Sequence, residues 1–276
     1  MKLKVTQYQL EIEDTIEKNL AKVERTLEGL RERDELPDLF CLPEDFAMPH
    51  GANRSIVYGV EPRGEVRDRM AGWAREYGIY LSAGSISEKA TNGKSVNVAY
   101  VFDREGRELA RYEKLHLFDI YFSNGGHFFE SDTVNPGNEI VTFDTEFGRV
   151  GIAICFDVRF PELFQIMRED GAEIILLPSY FNMTTGPDHW ETLVRSRALD
   201  NGVFMIATME SHVEGMKAAA YGHSMLVSPW GEILGELGDE EGLLHTTIEL
   251  DEIKRVRRKL PIFEERRGDL YELVRK

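Results

Sequence analysis

Val150-Gly151-Ile152-Ala153-Ile154-Cys155-Phe156-Asp157 is the stretch from which the rest of this chain can be read. Its apolar run has no polar interruption, which predicts a strand buried on both faces. The run stops at a thiol, and Asp157, Arg159 and Pro161 then signal a turn and a helix start. Such a strand-to-helix turn can present a nucleophile beside unpaired backbone N–H groups. Free cysteine is also among the most buried residue types, however, and most such thiols are inert. Cys155 alone fixes a strand, not a chemistry.

Working outward, the same patterns recur. Residues 140–144 and 149–154 flank Glu146-Phe147-Gly148 as a hairpin. A helix over 161–170 leads to a strand over 174–177, which Pro178 is expected to end. A helix over 189–201 feeds a strand over 203–208. The pair 224–227 and 232–234 and the strand 244–250 then precede a last helix. Toward the N-terminus, a strand over 5–10 precedes a helix capped by Asp14, with Leu20, Val23, Leu27 and Leu30 at helical spacing. Strands at 39–42 and 79–85 bracket a helix at 66–77, and Asp103-Arg104-Glu105-Gly106 turns a hairpin between 96–102 and 108–112. This mixture of βα units and hairpins predicts an α/β fold of mixed sheets with helices outside. Pattern alone does not separate two stacked sheets, in a four-layer α-β-β-α sandwich, from a three-layer domain.

Composition sets the bounds. The chain has 276 residues, reads as a single domain over 1–276, and shows neither repeat nor linker. Two cysteines, Cys41 and Cys155, argue against a disulfide framework, and no apolar stretch approaches a membrane span. The first residues lack the apolar core of a signal peptide, so a cytoplasmic location is expected. A net charge of −16 disfavours nucleic acid and anionic membranes as partners. The basic run 254–259 follows Asp251-Glu252, as expected of a solvated helix end compensating its dipole.

A nucleophilic thiol needs an activator, because only a few per cent is ionised at neutral pH. None of the seven histidines sits in a setting that pairs it with Cys155. Glu44, directly after an apolar strand and Pro43, and Lys114, before the apolar-rich Leu115-His116-Leu117-Phe118, stand at strand ends. Taken singly, each reads as a surface charge. Three strand ends carrying Glu44, Lys114 and Cys155 can nevertheless converge on one rim of a sandwich. No histidine pair at i, i+4 suggests a metal, and no cofactor is expected.

Leu42-Pro43-Glu44, Glu113-Lys114-Leu115-His116-Leu117-Phe118 and Ile154-Cys155-Phe156-Asp157-Val158-Arg159-Phe160-Pro161-Glu162-Leu163 together resemble the three motifs of the nitrilase (carbon–nitrogen hydrolase) superfamily, in its order and approximate spacing. The likeness runs from the first strand to Arg267-Gly268-Asp269-Leu270-Tyr271. It implies the four-layer α-β-β-α sandwich, a homodimer or higher homo-oligomer, and hydrolysis of a small-molecule amide. It also implies roles: Glu44 as general base, Cys155 as nucleophile forming a thioester, Lys114 and the Phe156 N–H as oxyanion donors. Glu130 matches a second carboxylate that accompanies the triad, and Ser123-Asn124-Gly125-Gly126 before it is a candidate lid.

Leu117-Phe118-Asp119-Ile120 and the segment Phe181 to Pro187 look most like omega-amidases, which act on omega-amides of 2-oxo acids such as 2-oxoglutaramate. Tyr221-Gly222-His223-Ser224 suits amidases of deaminated glutathione equally well, and N-carbamoyl hydrolases, nitrilases and a catalytically silent scaffold are the other readings. Asp45 and His50 stand where those omega-amidases carry Cys and Tyr, and Gly202 replaces a Gln. An acidic substrate needs local cations against the −16 field. Arg159 and Arg195 are candidates, with Arg159 alternatively pairing with Asp157 or Glu162 and Arg195 alternatively interfacial. Phe181, Tyr221 and Trp230 line a pocket or fill the core.

Overall fold

A computed structural model describes residues 1–49, 59–122, 125–216 and 218–276. In chain order the first half contains β1 (Lys2–Gln9), α1 (Ile16–Glu32), β2 (Leu39–Cys41), α2 (Glu65–Tyr77), β3 (Tyr80–Lys89), β4 (Ser95–Phe102) and β5 (Glu108–Glu113). Three short strands follow: β6 (Asp119–Tyr121), β7 (His127–Phe129) and β8 (Val134–Asn135). The second half contains β9 (Thr142–Thr145), β10 (Gly148–Ile152), α3 (Pro161–Glu169), β11 (Ile174–Ser179), α4 (Gly186–Asn201) and β12 (Phe204–Met209). It closes with β13 (Met225–Val227), β14 (Ile233–Glu236), β15 (Gly242–Glu249) and α5 (Asp251–Lys259).

These strands form two large sheets and a small ribbon. One sheet runs β15-β1-β2-β3-β4-β5, with β8 beside β4; the other runs β14-β13-β12-β11-β10-β9; β6 and β7 pair alone. The centre of each is parallel, β1-β2-β3 and β10-β11-β12, the flanking pairs along each path are antiparallel, and β8 joins β4 in parallel. Helices between parallel strands supply the crossovers that such pairs require.

Side-chain alternation settles how the layers stack. Leu39 and Cys41 of β2 point into a core shared with Ile152, Leu176 and Ile206 of the other sheet. Phe40 and Leu42 point the opposite way, into a second core with Leu20, Val23 and Leu27 of α1 and Met70 and Trp73 of α2. Helices α3 and α4 cover the outer face of the second sheet through Leu163, Phe164, Trp190 and Val194. The order is therefore helices, sheet, sheet, helices, the four-layer sandwich. Strands buried on both faces explain the uninterrupted apolar runs.

Local details differ from expectation at several points. The cap of α1 is Thr15, whose side chain accepts the Lys18 N–H, while Asp14 bonds the Lys18 Nζ instead. Helix α4 begins at Gly186, one turn earlier than its periodicity indicates. Strand β11 does not stop at Pro178 but pairs with β12 through Ser179. The Leu176 carbonyl accepts from Ala153, so Leu176 and, two residues on, Pro178 face the side of β10, whose pairing ends at Ile152. The missing proline N–H falls where no neighbour needs it. The β6–β7 ribbon lacks any sequence period and was not anticipated. Among the described residues no helix is long and apolar enough to cross a membrane.

Candidate active site

Glu44 leaves the C-terminal end of β2 through a contact that glycine alone permits. Strand β3 bulges between Ser82 and Ser85, and Gly84 there has φ +57°. A Cβ at Gly84 would lie 2.0 Å from the Pro43 carbonyl oxygen. The Ser85 N–H donates to that same oxygen at 3.1 Å, and Ser85 Oγ accepts the Asp45 N–H at 3.0 Å. Asp45 itself sits at φ +51°, a region Asp tolerates better than most residues. Its side chain accepts from Ser87 Oγ at 3.1 Å and is buried. His50 lies outside the described residues.

Lys114 follows β5, tied down on both sides of its peptide: its N–H donates to Asn97 O and its carbonyl accepts from Gly137, each at 2.9 Å. Its ammonium is buried between two carboxylates, 2.9 Å from Glu44 Oε1 and 3.2 and 3.0 Å from the two oxygens of Glu130. Burial opposes the lysine's charge, but Glu130 and Glu44 outweigh it and hold the ammonium well above the usual lysine range. Glu130 is fixed in turn by the Phe118 N–H, 2.6 Å from Oε2. The second carboxylate expected beside the triad thus faces the lysine directly. Gly125 belongs to the turn joining β6 to β7, while Ser123 and Asn124 lie outside the described residues.

Cys155 opens a short 3-10 turn, Cys155–Arg159, straight after β10, with φ +47°. A non-glycine residue in this left-handed region costs on the order of 1–3 kcal/mol and persists only where its surroundings over-determine it. Asp157 provides that determination. It is completely buried, and its carboxylate accepts the Ile154 N–H at 2.9 Å, the Tyr112 hydroxyl at 2.7 Å and, at His116, the N–H at 3.0 Å and Nδ1 at 2.8 Å. The His116 ring stacks on Phe160 at 3.6 Å. One carboxylate therefore pins the segment carrying the thiol to the segment following Lys114.

The thiol donates to the Tyr180 carbonyl oxygen, 3.4 Å from Sγ, and has the Glu44 carboxylate as a neighbouring charge. Burial first, then the Glu44 charge, pushes its pKa well above the ordinary thiol value, against the lowering pull of Lys114. Burial likewise raises Glu44, with Lys114 opposing and Glu130 and Asp45 assisting. The resting pair is a protonated thiol facing a strengthened base. Proton transfer can then accompany attack, and Glu44 stands closer to the operating pH than an ordinary carboxylate. The Phe156 N–H begins the turn, where backbone donors have no helical acceptor; with the Lys114 ammonium it can meet a developing oxyanion.

Arg159, Phe156 and Phe181 also come together. The guanidinium lies 5.6 Å from the Phe156 ring centroid and 5.3 Å from that of Phe181, and its Nη2 reaches His189 Nδ1 at 3.2 Å. It pairs with neither Asp157 nor Glu162. Its Nε is buried without a partner, and burial depresses its pKa while the neighbouring Cys155 opposes that. Arg195 is not part of this group: it bonds the Gly231 carbonyl at 2.9 Å and Glu191 at 2.8 Å. Trp230 is exposed under Lys259, and Tyr221 stacks on His223. Sequence reading passed over Asn97, which donates to Glu44 Oε1 at 2.8 Å; its signal was one polar residue inside the apolar strand Ser95–Phe102. Among the described residues, no group of three or more His, Cys, Asp or Glu could hold a metal ion.

Comparison with known proteins identifies the family. The sequence profile of the family described as Carbon-nitrogen hydrolase matches residues 4–258. The chain is 42% identical over 233 residues to Omega-amidase NIT2 of Homo sapiens, covering 84% of each protein. Among solved structures it resembles Saccharomyces cerevisiae Nit3, a nitrilase-superfamily member, with a TM-score of 0.85 at 30% identity, covering 96% of this chain and 97% of that one. It also resembles the NitFhit protein of C. elegans, with a TM-score of 0.90 at 32% identity, covering 99% of this chain and 66% of that one.

Proposed function

Because this chain belongs to the carbon–nitrogen hydrolase family of the nitrilase superfamily, and is an amidase, we propose that it is an omega-amidase releasing ammonia from the omega-amides of 2-oxo dicarboxylic acids. In this reading Glu44 takes the Sγ proton as the thiolate attacks the amide carbonyl. The oxyanion is received by the Lys114 ammonium and the Phe156 N–H, replacing water with preorganised donors. On collapse the C–N bond breaks, Glu44 returns its proton to the nitrogen, and ammonia leaves a thioester on Cys155. Glu44 then takes a proton from water, the hydroxide adds to the thioester, and the acid departs as the thiol is re-formed. Two moderate barriers replace one high one. Glu130 holds Lys114 and orients the bound amide.

The observation carrying the substrate class is Arg159: a half-buried cation beside the nucleophile whose Nε has no partner and whose polar side-chain contact is His189 Nδ1 rather than a carboxylate. A substrate carboxylate would complete it, and the roughly 40% identity to omega-amidases over most of the chain supports the same reading. A hydrogen bond to a charged group contributes about 1.5–3 kcal/mol, so Arg159→Gln is expected to lower kcat/KM for 2-oxoglutaramate by about 10- to 150-fold while sparing a neutral amide of equal length. The test is ammonia release from both amides by wild type, Arg159→Gln and Cys155→Ala. Equal loss on both amides in Arg159→Gln would remove the carboxylate role. No release from 2-oxoglutaramate by wild type would remove the omega-amidase reading and turn the search to amides of deaminated glutathione, N-carbamoyl compounds and nitriles.

A further inference from the structure

We propose that Asn97 positions the general base, fixing which oxygen of Glu44 receives the thiol proton. The proposal rests on Glu44 acting as base for Cys155 and is independent of which amide is hydrolysed.

Asn97 is the third residue of β4, and its side chain is buried. Its Nδ2 donates to Glu44 Oε1 at 2.8 Å, the oxygen that also accepts from Lys114 Nζ at 2.9 Å. A carboxylate oxygen offers about two lone-pair sites, so these donors saturate Oε1. Oε2 is left to receive the thiol proton. Lys114 cannot do this sorting alone, because both oxygens of Glu130 also hold it. As the ammonium turns its charge to an oxyanion, Asn97 remains on Oε1 and keeps the carboxylate from rotating.

The same residue spaces the base from the lysine. Its backbone carbonyl accepts the Lys114 N–H at 2.9 Å while its side chain holds Glu44. The cost of burying this amide is otherwise unrelieved, since Asn97 Oδ1 is buried with no hydrogen-bond partner. An apolar residue would suit the strand better, and the contact with Glu44 is what offsets that cost. A neutral donor also suits this position, since a second cation would weaken the base and a carboxylate would compete for its proton.

The test reads the thiol rather than the substrate. Rates of Cys155 alkylation by iodoacetamide would be measured against pH in wild type, Asn97→Ala and Asn97→Ser, with Cys155→Ala as blank and melting temperature as a check on folding. Losing a hydrogen bond to the ionised carboxylate raises its pKa, so the acid limb for Asn97→Ala should move up by about one pH unit. The rate near neutrality should fall about tenfold. Asn97→Ser, which keeps a donor on a shorter arm, should fall between, and kcat for amide hydrolysis should drop with KM within about twofold. A limb that stays in place in a folded variant, even with a uniformly lower rate, would overturn the proposal. So would a rise in KM without loss of kcat. Equal labelling of Cys155→Ala would remove the triad and this proposal together. Failure of 2-oxoglutaramate as substrate would leave the alkylation profiles, and hence the role of Asn97, unaffected.

Discussion

Replacing Lys114 by Met removes a cation from between two carboxylates while nearly keeping its length. At 2.9 Å from Glu44 and 3.0 Å from Glu130, each attraction is on the order of 5–6 kcal/mol at an effective dielectric constant near 20. Desolvation offsets much of this, and removing one partner of a buried pair typically costs about 3–5 kcal/mol. The variant can recover part by protonating. Glu44 is already raised by burial and would lose the opposing pull of Lys114. A carboxyl whose folded pKa lies above its unfolded value stabilises fully below the unfolded value and loses that contribution as pH rises through the folded one. The deficit of Lys114→Met relative to wild type should therefore widen between pH 5 and pH 8, by about 1.4 kcal/mol per unit of further upward shift. Urea denaturation at the two pH values would measure it. Activity should be lost, because the oxyanion donor would be gone and Glu44, without the opposing pull of Lys114, would hold its proton to higher pH. A deficit equal at pH 5 and pH 8 would refute the picture of two ionised carboxylates clamping one lysine.

Substitutions at two further positions probe the nucleophile's seat. Asp157→Asn turns one accepting oxygen into a donor facing N–H or O–H groups, so about 1–3 kcal/mol of stability should go, with a roughly 10- to 100-fold fall in kcat; wild-type kcat in a folded variant would show that the carboxylate does not hold the elbow. Cys155→Gly and Cys155→Ala should both be inactive, yet the glycine variant should be the more stable by about 1 kcal/mol, because only glycine adopts φ +47° without strain. Thermal melts of the two would decide it, with an equal or more stable alanine variant counting against a strained elbow.

Much of the architecture was legible because it rests on short-range pattern. Strands covered on both faces advertise themselves as apolar runs, and Cys155, Glu44 and Lys114 were each visible at the end of one. Their convergence was not, since Glu44 and Lys114 meet across 70 positions of sequence; singly each looked like a surface charge, and the family resemblance brought them together. What stayed hidden is tertiary. The Asp157 carboxylate gathers Tyr112 and His116 from another sheet, Pro178 is tolerated only because β10 has already ended, and Arg195 turns to a backbone carbonyl. The β6–β7 ribbon has too few residues, and those too exposed, to carry a period.

Glu44 and Lys114 stand on one sheet and Cys155 on the other. Each sheet has its own run of parallel strands and crossover helices, so each can gather by contacts within its half of the chain. The first is completed only by β15, from the far end, pairing with β1. A refolding chain can thus regain most of its helix and strand signal while possessing no catalyst at all. Turnover requires the docking of one sheet upon the other, and its recovery dates that event in a way no spectrum of backbone structure can.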